Sequence, residues 1–406
     1  VLNGSEGVEG VLRHVLWEGL KSEDEYYFNK EIIMRYRNWP NVYKDLGIKP
    51  IINAQSWVTS LGGSIMKPEV IKSIEEASTV FVELEKLNEE AGKFIAKICK
   101  SDGALVTNGC ASAIVLMSAA CLTGTDIEEA KKLPNKEHKR SEILIHKGQR
   151  NRYDSSFEIP GSKLVEYTNE NLFDKITDKT CAIAYVVAPF FDKGFGMKKT
   201  IEIAHEKGLY FLVDAAAELP PRENLSKFIE LGADGVAFSG GKGIGGPQST
   251  GILAGTREII DAAFINSFQN LTPEWSGIGR PMKVSKENVI GLITAMKLFI
   301  EEDESTENKL WMGKAKSLKE QINPKKGMEI YIENDYPNRQ GANTILSFQK
   351  ENYEGPTTEE IRQFLENGEP KIFVGKHNYD EEINIVVHSL NEFEIDIIAE
   401  KLNEIL

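Results

Sequence analysis

The chain predicts an α/β protein with a largely parallel sheet covered on both faces, followed by a smaller C-terminal α+β domain. Two observations carry this. Between residues 49 and 283, short apolar runs at 104–106, 143–145, 182–187, 210–213, 235–238 and 251–254 alternate with helical patterns. Runs of this kind suit strands buried on both faces, and their alternation with helices implies parallel crossovers. Beyond 284, a long helical pattern that includes 289–300 bridges to strand-like runs near 329–332, 344–348, 372–374 and 383–387, with helices from Thr358 and Glu392. Residues 1–48 are rich in charge and aromatics, with a helical run at 23–36 that Pro40 follows as a stop. The expected organisation is an N-terminal arm (1–48), a large α/β domain (49–283), and a bridging helix with a small domain (284–406).

Bulk properties narrow the partners. A length of 406 residues with 41% hydrophobic content suffices for two or three structural units. The longest nearly uninterrupted apolar stretch, 181–191, is shorter than the roughly 20 residues that span a bilayer, so no membrane span is expected. A formal net charge of −14 repels polyanions, which disfavours a nucleic-acid partner such as tRNA. The four cysteines, Cys99, Cys110, Cys121 and Cys181, show neither CxxC spacing nor a Cys/His cluster, so neither a metal site nor a disulfide framework is expected and a reducing cytoplasm fits. The opening residues carry no secretory pattern.

The chemistry concentrates at three strand ends. Lys242 stands among glycines directly after the run 235–238, where missing side chains allow close approach of backbone to a ligand. Twenty-eight positions earlier (242 − 214), Asp214 closes the run 210–213, at a strand's carboxyl end where open α/β sheets bind ligands. After 104–106, the small residues Gly109, Cys110 and Ala111 open an apolar helical run, and a helix N-terminus offers unpaired N–H groups to a phosphate. Taken singly, each has a plainer reading: a loop lysine, a capping aspartate, a packing turn. Together they suggest a pyridoxal 5'-phosphate (PLP) site. Lys242 would hold the cofactor covalently and then move the substrate's Cα proton, while Asp214 would pair with the pyridine nitrogen. Ala216 would leave room for the ring and Ser239 would bond the phosphate. A nucleotide loop does not fit, since no hydroxyl residue follows Lys242 and the glycines precede a strand rather than a helix.

Several segments jointly resemble one group of proteins: Ile52-Asn53-Ala54, Leu61-Gly62-Gly63-Ser64, 107–113, 213–221, Phe238-Ser239-Gly240-Gly241-Lys242, Gly246-Pro247-Gln248 and 279–284. The chain resembles fold-type I PLP-dependent enzymes of the selenocysteine synthase and D-glucosaminate-6-phosphate ammonia-lyase group over roughly residues 49–300. The resemblance implies a mostly parallel seven-stranded sheet, Lys242 as the cofactor-linked lysine, Asp214 as its pyridinium partner, and homodimers or larger assemblies. It also implies Arg280 in the active site, where a guanidinium fork can grip a carboxylate or phosphate; a surface ion pair is the alternative. Gln149, His146 and Tyr153 are alternative candidates to face the ring. Asn53 and Ser56, with Trp57 and Thr59, form a candidate substrate loop that Gly62 and Gly63 would keep flexible. The reaction implied is ammonia-releasing α,β-elimination on an amino acid or aminated sugar acid. β-Replacement on a seryl substrate, racemisation, aldol cleavage and a non-enzymatic ligand-binding role stay open.

Overall fold

The computed structural model describes residues 40–135, 138–188, 191, 194–270, 275–334, 341–349, 351–377 and 381–406. The helical run expected at 23–36 lies outside them. Two units emerge: Trp57–Leu310 with Asn334–Gly341, and Val1–Ser56 with Trp311–Glu333 and Ala342–Leu406.

The larger unit is built on β2 (Gly103–Thr107), β3 (Glu142–His146), β4 (Lys163–Tyr167), β5 (Thr180–Val186), β6 (Tyr210–Asp214), β7 (Gly235–Ser239) and β8 (Gly251–Gly255). They form one sheet in the order β2-β8-β7-β6-β5-β3-β4. β8 runs antiparallel to both its neighbours, while β7, β6, β5, β3 and β4 pair in parallel. Apolar side chains leave both faces: Leu144, Ile183, Phe211 and Phe238 enter one buried cluster, and Ile143, Ala184, Leu212 and Ala237 enter the other. A sheet with two apolar faces needs helices on each side, which is why its strands lack polar alternation. β4 breaks that pattern and is not legible as an apolar run. It lies at the sheet edge with Lys163 and Glu166 exposed.

Among the helices of this unit are α1 (Pro68–Ser78), α2 (Leu84–Cys99), α3 (Gly109–Thr123), α4 (Met197–Glu206), α5 (Arg257–Asn266) and α6 (Lys286–Glu301). α3 is buried at nearly every position from Cys110 to Thr123, as a helix apolar all round must be. α6 packs on α1, and Gly291 permits it, because a Cβ there would stand 2.9 Å from Ile74 and 2.8 Å from Pro247.

The smaller unit carries β1 (Ile52–Ala54), β9 (Met328–Asn334), β10 (Ala342–Phe348), β11 (Ile372–His377) and β12 (Glu382–Val386) in the order β1-β11-β12-β10-β9. Ile52, Ile372, Val374, Ile383, Ile385 and Leu346 join its core with helices α8 (Thr358–Asn367) and α9 (Glu392–Ile405). Both helices begin with capping boxes, Thr357 with Glu360 and Asn391 with Glu394, which satisfy first-turn N–H groups.

The boundaries differ from the expected 49 and 284. β1 pairs in parallel with β11, Ile52 opposite Ile372, so residues 52–54 belong with the C-terminal sheet. The stretch 284–310 stays with the larger unit because α6 packs there, and the long helical pattern is two helices, α6 and α7 (Glu304–Gln321), with the division inside α7.

Candidate active site

Because β2, β7, β6, β5 and β3 point the same way, their carboxyl ends share one edge of the sheet. That edge collects Gly109 after β2, His146 on β3, Val186 on β5, Asp214 on β6 and Ser239 on β7 with Lys242 just beyond. The register sets Val186 beside Asp214 and Asp214 beside Ala237.

Asp214 is only 7% exposed. Its Oδ1 accepts the Ala216 N–H at 3.0 Å and the Cys110 thiol at 3.7 Å, whereas Oδ2 accepts no hydrogen bond among the described residues. Burial raises its carboxyl pKa above the ordinary value, against the pull of the Ala216 N–H, the Lys242 charge and the Cys110 thiol. A buried carboxylate with a spare oxygen is suited to a cationic partner. Lys242 is half-buried in the turn after β7, and Ser239 is half-buried at the strand's last position.

At the third strand end, Asn108 makes no side-chain cap to α3, which leaves the first-turn N–H groups to an anion. Gly109 has φ +78° with open space where a Cβ would project. The turn is held from beneath by Gly251, whose Cβ would stand 2.6 Å from the Cys110 nitrogen and overlap the Gly109 carbonyl. Gly251→Ala is therefore expected to push the α3 terminus off its seat, lower the melting temperature by overpacking worth ~1–3 kcal/mol, and weaken PLP binding. Thermal melts and a fluorescence titration with PLP check this; unchanged affinity in a destabilised protein would separate the turn from the phosphate.

The glycines around Lys242 have a different use from the ligand approach expected of them. A Cβ on Gly241 would overlap Gln248, one on Gly243 would overlap the Leu219 carbonyl, and one on Gly240 would overlap Thr250. Close contact between loops of the protein itself explains them. Of the Gly62-Gly63 pair, Gly63 lies close against the same turn: a Cβ there would be 2.5 Å from the Gly241 oxygen, and that oxygen accepts Ser64 N–H at 3.0 Å. Gln248 adds a bond from Nε2 to the Thr59 carbonyl at 2.8 Å. The segment 59–64 thus braces the residue before Lys242.

The other expected residues fall as follows. Gln149 is 1% exposed, and its Oε1 accepts the Val186 N–H at 3.1 Å, which ties the loop after β3 to the strand beside Asp214. His146 is buried edge-on to Tyr167 at 5.4 Å, and its Nδ1 accepts the Gly148 N–H at 3.2 Å. Tyr153 is exposed under the Arg152 guanidinium. Arg280 is exposed without an ion-pair partner among the described residues, following Gly277 and Gly279, which both press on the Asn266 backbone. Asn53 and Ser56 belong to the smaller unit. There the Asn53 amide bonds the Ser56 carbonyl and the Gln55 N–H, both at 2.9 Å, and Ser56 has φ +82°, a strained value for a side-chain-bearing residue. Sequence reasoning placed Cys110 at the phosphate turn and missed its bond to Asp214.

Residues 75–380 match the aminotransferase class-V family. The chain belongs to this family. It is a PLP-dependent enzyme, and a solved structure of the same fold, at 13% identity and TM-score 0.57, holds PLP. Among relatives, D-glucosaminate-6-phosphate ammonia lyase of Salmonella typhimurium is 27% identical over 379 residues, 90% of this chain and 98% of the relative. A solved D-glucosaminate-6-phosphate ammonia-lyase structure superposes with TM-score 0.75 at 26% identity, over 90% of this chain and 98% of that one. The 5'-C-glycyluridine monooxygenase-decarboxylase of a Streptomyces species is 31% identical over 271 residues, 63% of this chain and 65% of the relative's length. L-seryl-tRNA(Sec) selenium transferase of Clostridium perfringens is 26% identical over 75% of this chain and 69% of its own length. The likeness extends past residue 300 into the smaller unit, beyond the span expected of it. The carboxylate with a spare oxygen, the half-buried lysine and the uncapped helix terminus all fit PLP. No helix among the described residues is long and apolar enough to cross a membrane.

Proposed function

We propose that this class-V enzyme is an ammonia-releasing lyase acting on an aminated sugar acid or related 2-amino-3-hydroxy acid. The carrying observation is the meeting of Asp214, Lys242 and the α3 terminus at one sheet edge. The likeness to D-glucosaminate-6-phosphate ammonia lyase along 90% of the chain supports the reaction class and a D-glucosaminate 6-phosphate-like substrate.

In this reading the first-turn N–H groups of Gly109, Cys110 and Ala111, with the Ser239 hydroxyl, hold the cofactor phosphate. Asp214 Oδ2 would keep a proton on the pyridine nitrogen, and Gln149, through its bond to the Val186 N–H, would hold the loop after β3 in place for the ring. Bound PLP supplies an electron sink for charge left at Cα. The Lys242 amine would take the substrate's Cα proton at its Nζ. The Cα proton and the β-hydroxyl would together leave as water, and addition of water to the resulting enamine in its imine form would release ammonia and a 2-oxo acid. The water lost and the water gained cancel, so the net change is amino hydroxy acid to oxo acid plus ammonia.

Arg280 is assigned to the substrate's anionic end. Arg280→Ala is expected to raise KM about 10-fold with kcat within about twofold, as loss of a grip made equally in ground and transition states requires. Steady-state kinetics decide it, and unchanged constants would remove Arg280 from the site.

A second reading has one observation behind it: the 31% identity to a monooxygenase-decarboxylase. It predicts oxygen uptake and carbon dioxide release in place of simple deamination. Incubating the holoenzyme with D- and L-amino acids and aminated sugar acids, while following ammonia, oxygen and carbon dioxide, separates the two. Ammonia without oxygen uptake from any of these supports the lyase; oxygen-dependent decarboxylation overturns it.

The net charge of −14 supports a small-molecule substrate over tRNA. Four free, buried cysteines support a reducing cytoplasm. We also place the enzyme in a homo-oligomer, supported by adjacent exposed Val80, Phe81 and Val82, Phe81 being fully exposed. A monomeric mass in solution would exclude that assembly.

A further inference from the structure

Resting on Asp214 as the pyridinium partner, we propose that Cys110 is a positioning residue: its thiol holds Oδ1 of Asp214 and leaves Oδ2 as the oxygen that meets the ring nitrogen. The two residues are 104 positions apart, and only the order of strands brings them together. Sγ lies 3.7 Å from Oδ1, and both side chains are buried. The Ala216 N–H reaches the same oxygen at 3.0 Å. Two donors from different elements on one oxygen fix the rotation of the carboxyl group about its bond to Cβ. A carboxylate with a single anchor can swing about it; two donors hold the plane of this one and so the direction in which its free oxygen points.

Cys110 also occupies the second position of α3, in the turn whose N–H groups face the phosphate. One residue therefore links the phosphate end of the cofactor site to its nitrogen end. Any shift of the helix terminus is transmitted to the Asp214 carboxyl group. Burial and the adjacent Asp214 charge push the thiol pKa well up, so it stays protonated and remains a donor. The charged groups that bear on Asp214 from neighbouring elements are Lys242 and Asp154, the latter held by the Arg150 guanidinium and the Asn151 N–H.

A donor to the charged form of a carboxylate lowers its pKa. Cys110→Ala, which deletes the donor, is therefore expected to move the acid limb of kcat/KM to higher pH by about half a unit and to lower kcat about fivefold, the scale of one hydrogen bond. Cys110→Ser keeps a hydroxyl donor, stronger than the thiol, at the same position, so its acid limb moves below the wild-type position and kcat stays within about twofold of wild type. The pH dependence of the visible absorbance of PLP-loaded protein gives a second readout that does not depend on turnover. A thiol that only packs would alter melting temperature and leave both pH profiles unmoved, and that result overturns the proposal. Should the alanine variant fail to fold, the serine variant decides alone: a profile unmoved or shifted to higher pH contradicts a donor role. Asp214→Asn in the same series separates the two readings. An active Asp214→Asn enzyme sinks the role of Asp214 itself, whereas an impaired one beside unshifted Cys110 variants sinks only the role of the thiol.

Discussion

Lys242→Ala is expected to remove the visible absorbance that a covalently held cofactor gives the wild type and to lower turnover by about 10³-fold or more, the scale of losing a positioned acid-base group that is also the attachment point. The loop that carries Lys242 is braced by the protein's own backbone, through Gly241 against Gln248 and Ser64, so the alanine variant should keep its fold. Circular dichroism matching the wild type would show this. Lys147, which follows β3 at the same sheet edge but is exposed, provides the control: Lys147→Ala should stay coloured and active. A Lys242→Ala protein that kept both colour and turnover would place the reactive amine elsewhere.

Asp214→Asn should separate catalysis from stability in opposite directions. An amide cannot hold a proton on the pyridine nitrogen as a carboxylate does, so turnover is expected to fall about 10²–10³-fold. The sign for stability follows from burial. Asp214 has a folded-state pKa above its ordinary value, so the folded apoprotein binds its proton more readily than the unfolded chain does. Its contribution to stability is then complete below the ordinary carboxylate pKa of about 3.9 and is lost as pH rises through the raised folded value. Above the ordinary carboxylate value the group therefore weighs increasingly against the fold of the apoprotein. Asparagine keeps the shape and accepts the Ala216 N–H without the charge. The apo variant should melt above apo wild type at pH 7, with the gap closing towards pH 4. PLP should raise the melting temperature of wild type more than that of the variant, because the cationic ring rewards only the carboxylate. Activity within a few-fold of wild type would remove Asp214 from the electron-sink role.

Much of the fold is legible in the chain because the strands that matter are buried on both faces. β5, β6 and β7 announce themselves by apolar runs, and the ends of β6 and β7 therefore locate Asp214 and Lys242 without any tertiary knowledge. β4 escapes because an edge strand keeps polar residues, and β1 escapes because three residues carry no period at all. β1 acquires its place only through Ile372, some 320 positions later (372 − 52). The domain boundary at 284 failed for a related reason: a long helical pattern cannot tell which neighbour its apolar face covers, and α6 covers α1.

The glycines show the same limit from another side. Glycine in sequence reports that a side chain is not tolerated, and says nothing about what occupies the space. Beside Lys242 the occupants are Gln248, Leu219 and Thr250, all parts of this chain. Gly109 differs, since the space over it is open and its φ of +78° is what calls for glycine.

By itself, then, the sequence determined the strand ends and the chemical groups they carry, because both depend on local apolar patterning and on residue type. The tertiary structure decided which oxygen of Asp214 is spare, what braces Lys242 and what seats the α3 turn. Those depend on residues far apart in the chain, Cys110 with Asp214, Ser64 with Gly241 and Gly251 with Gly109, which meet only once the sheet has set its strand order.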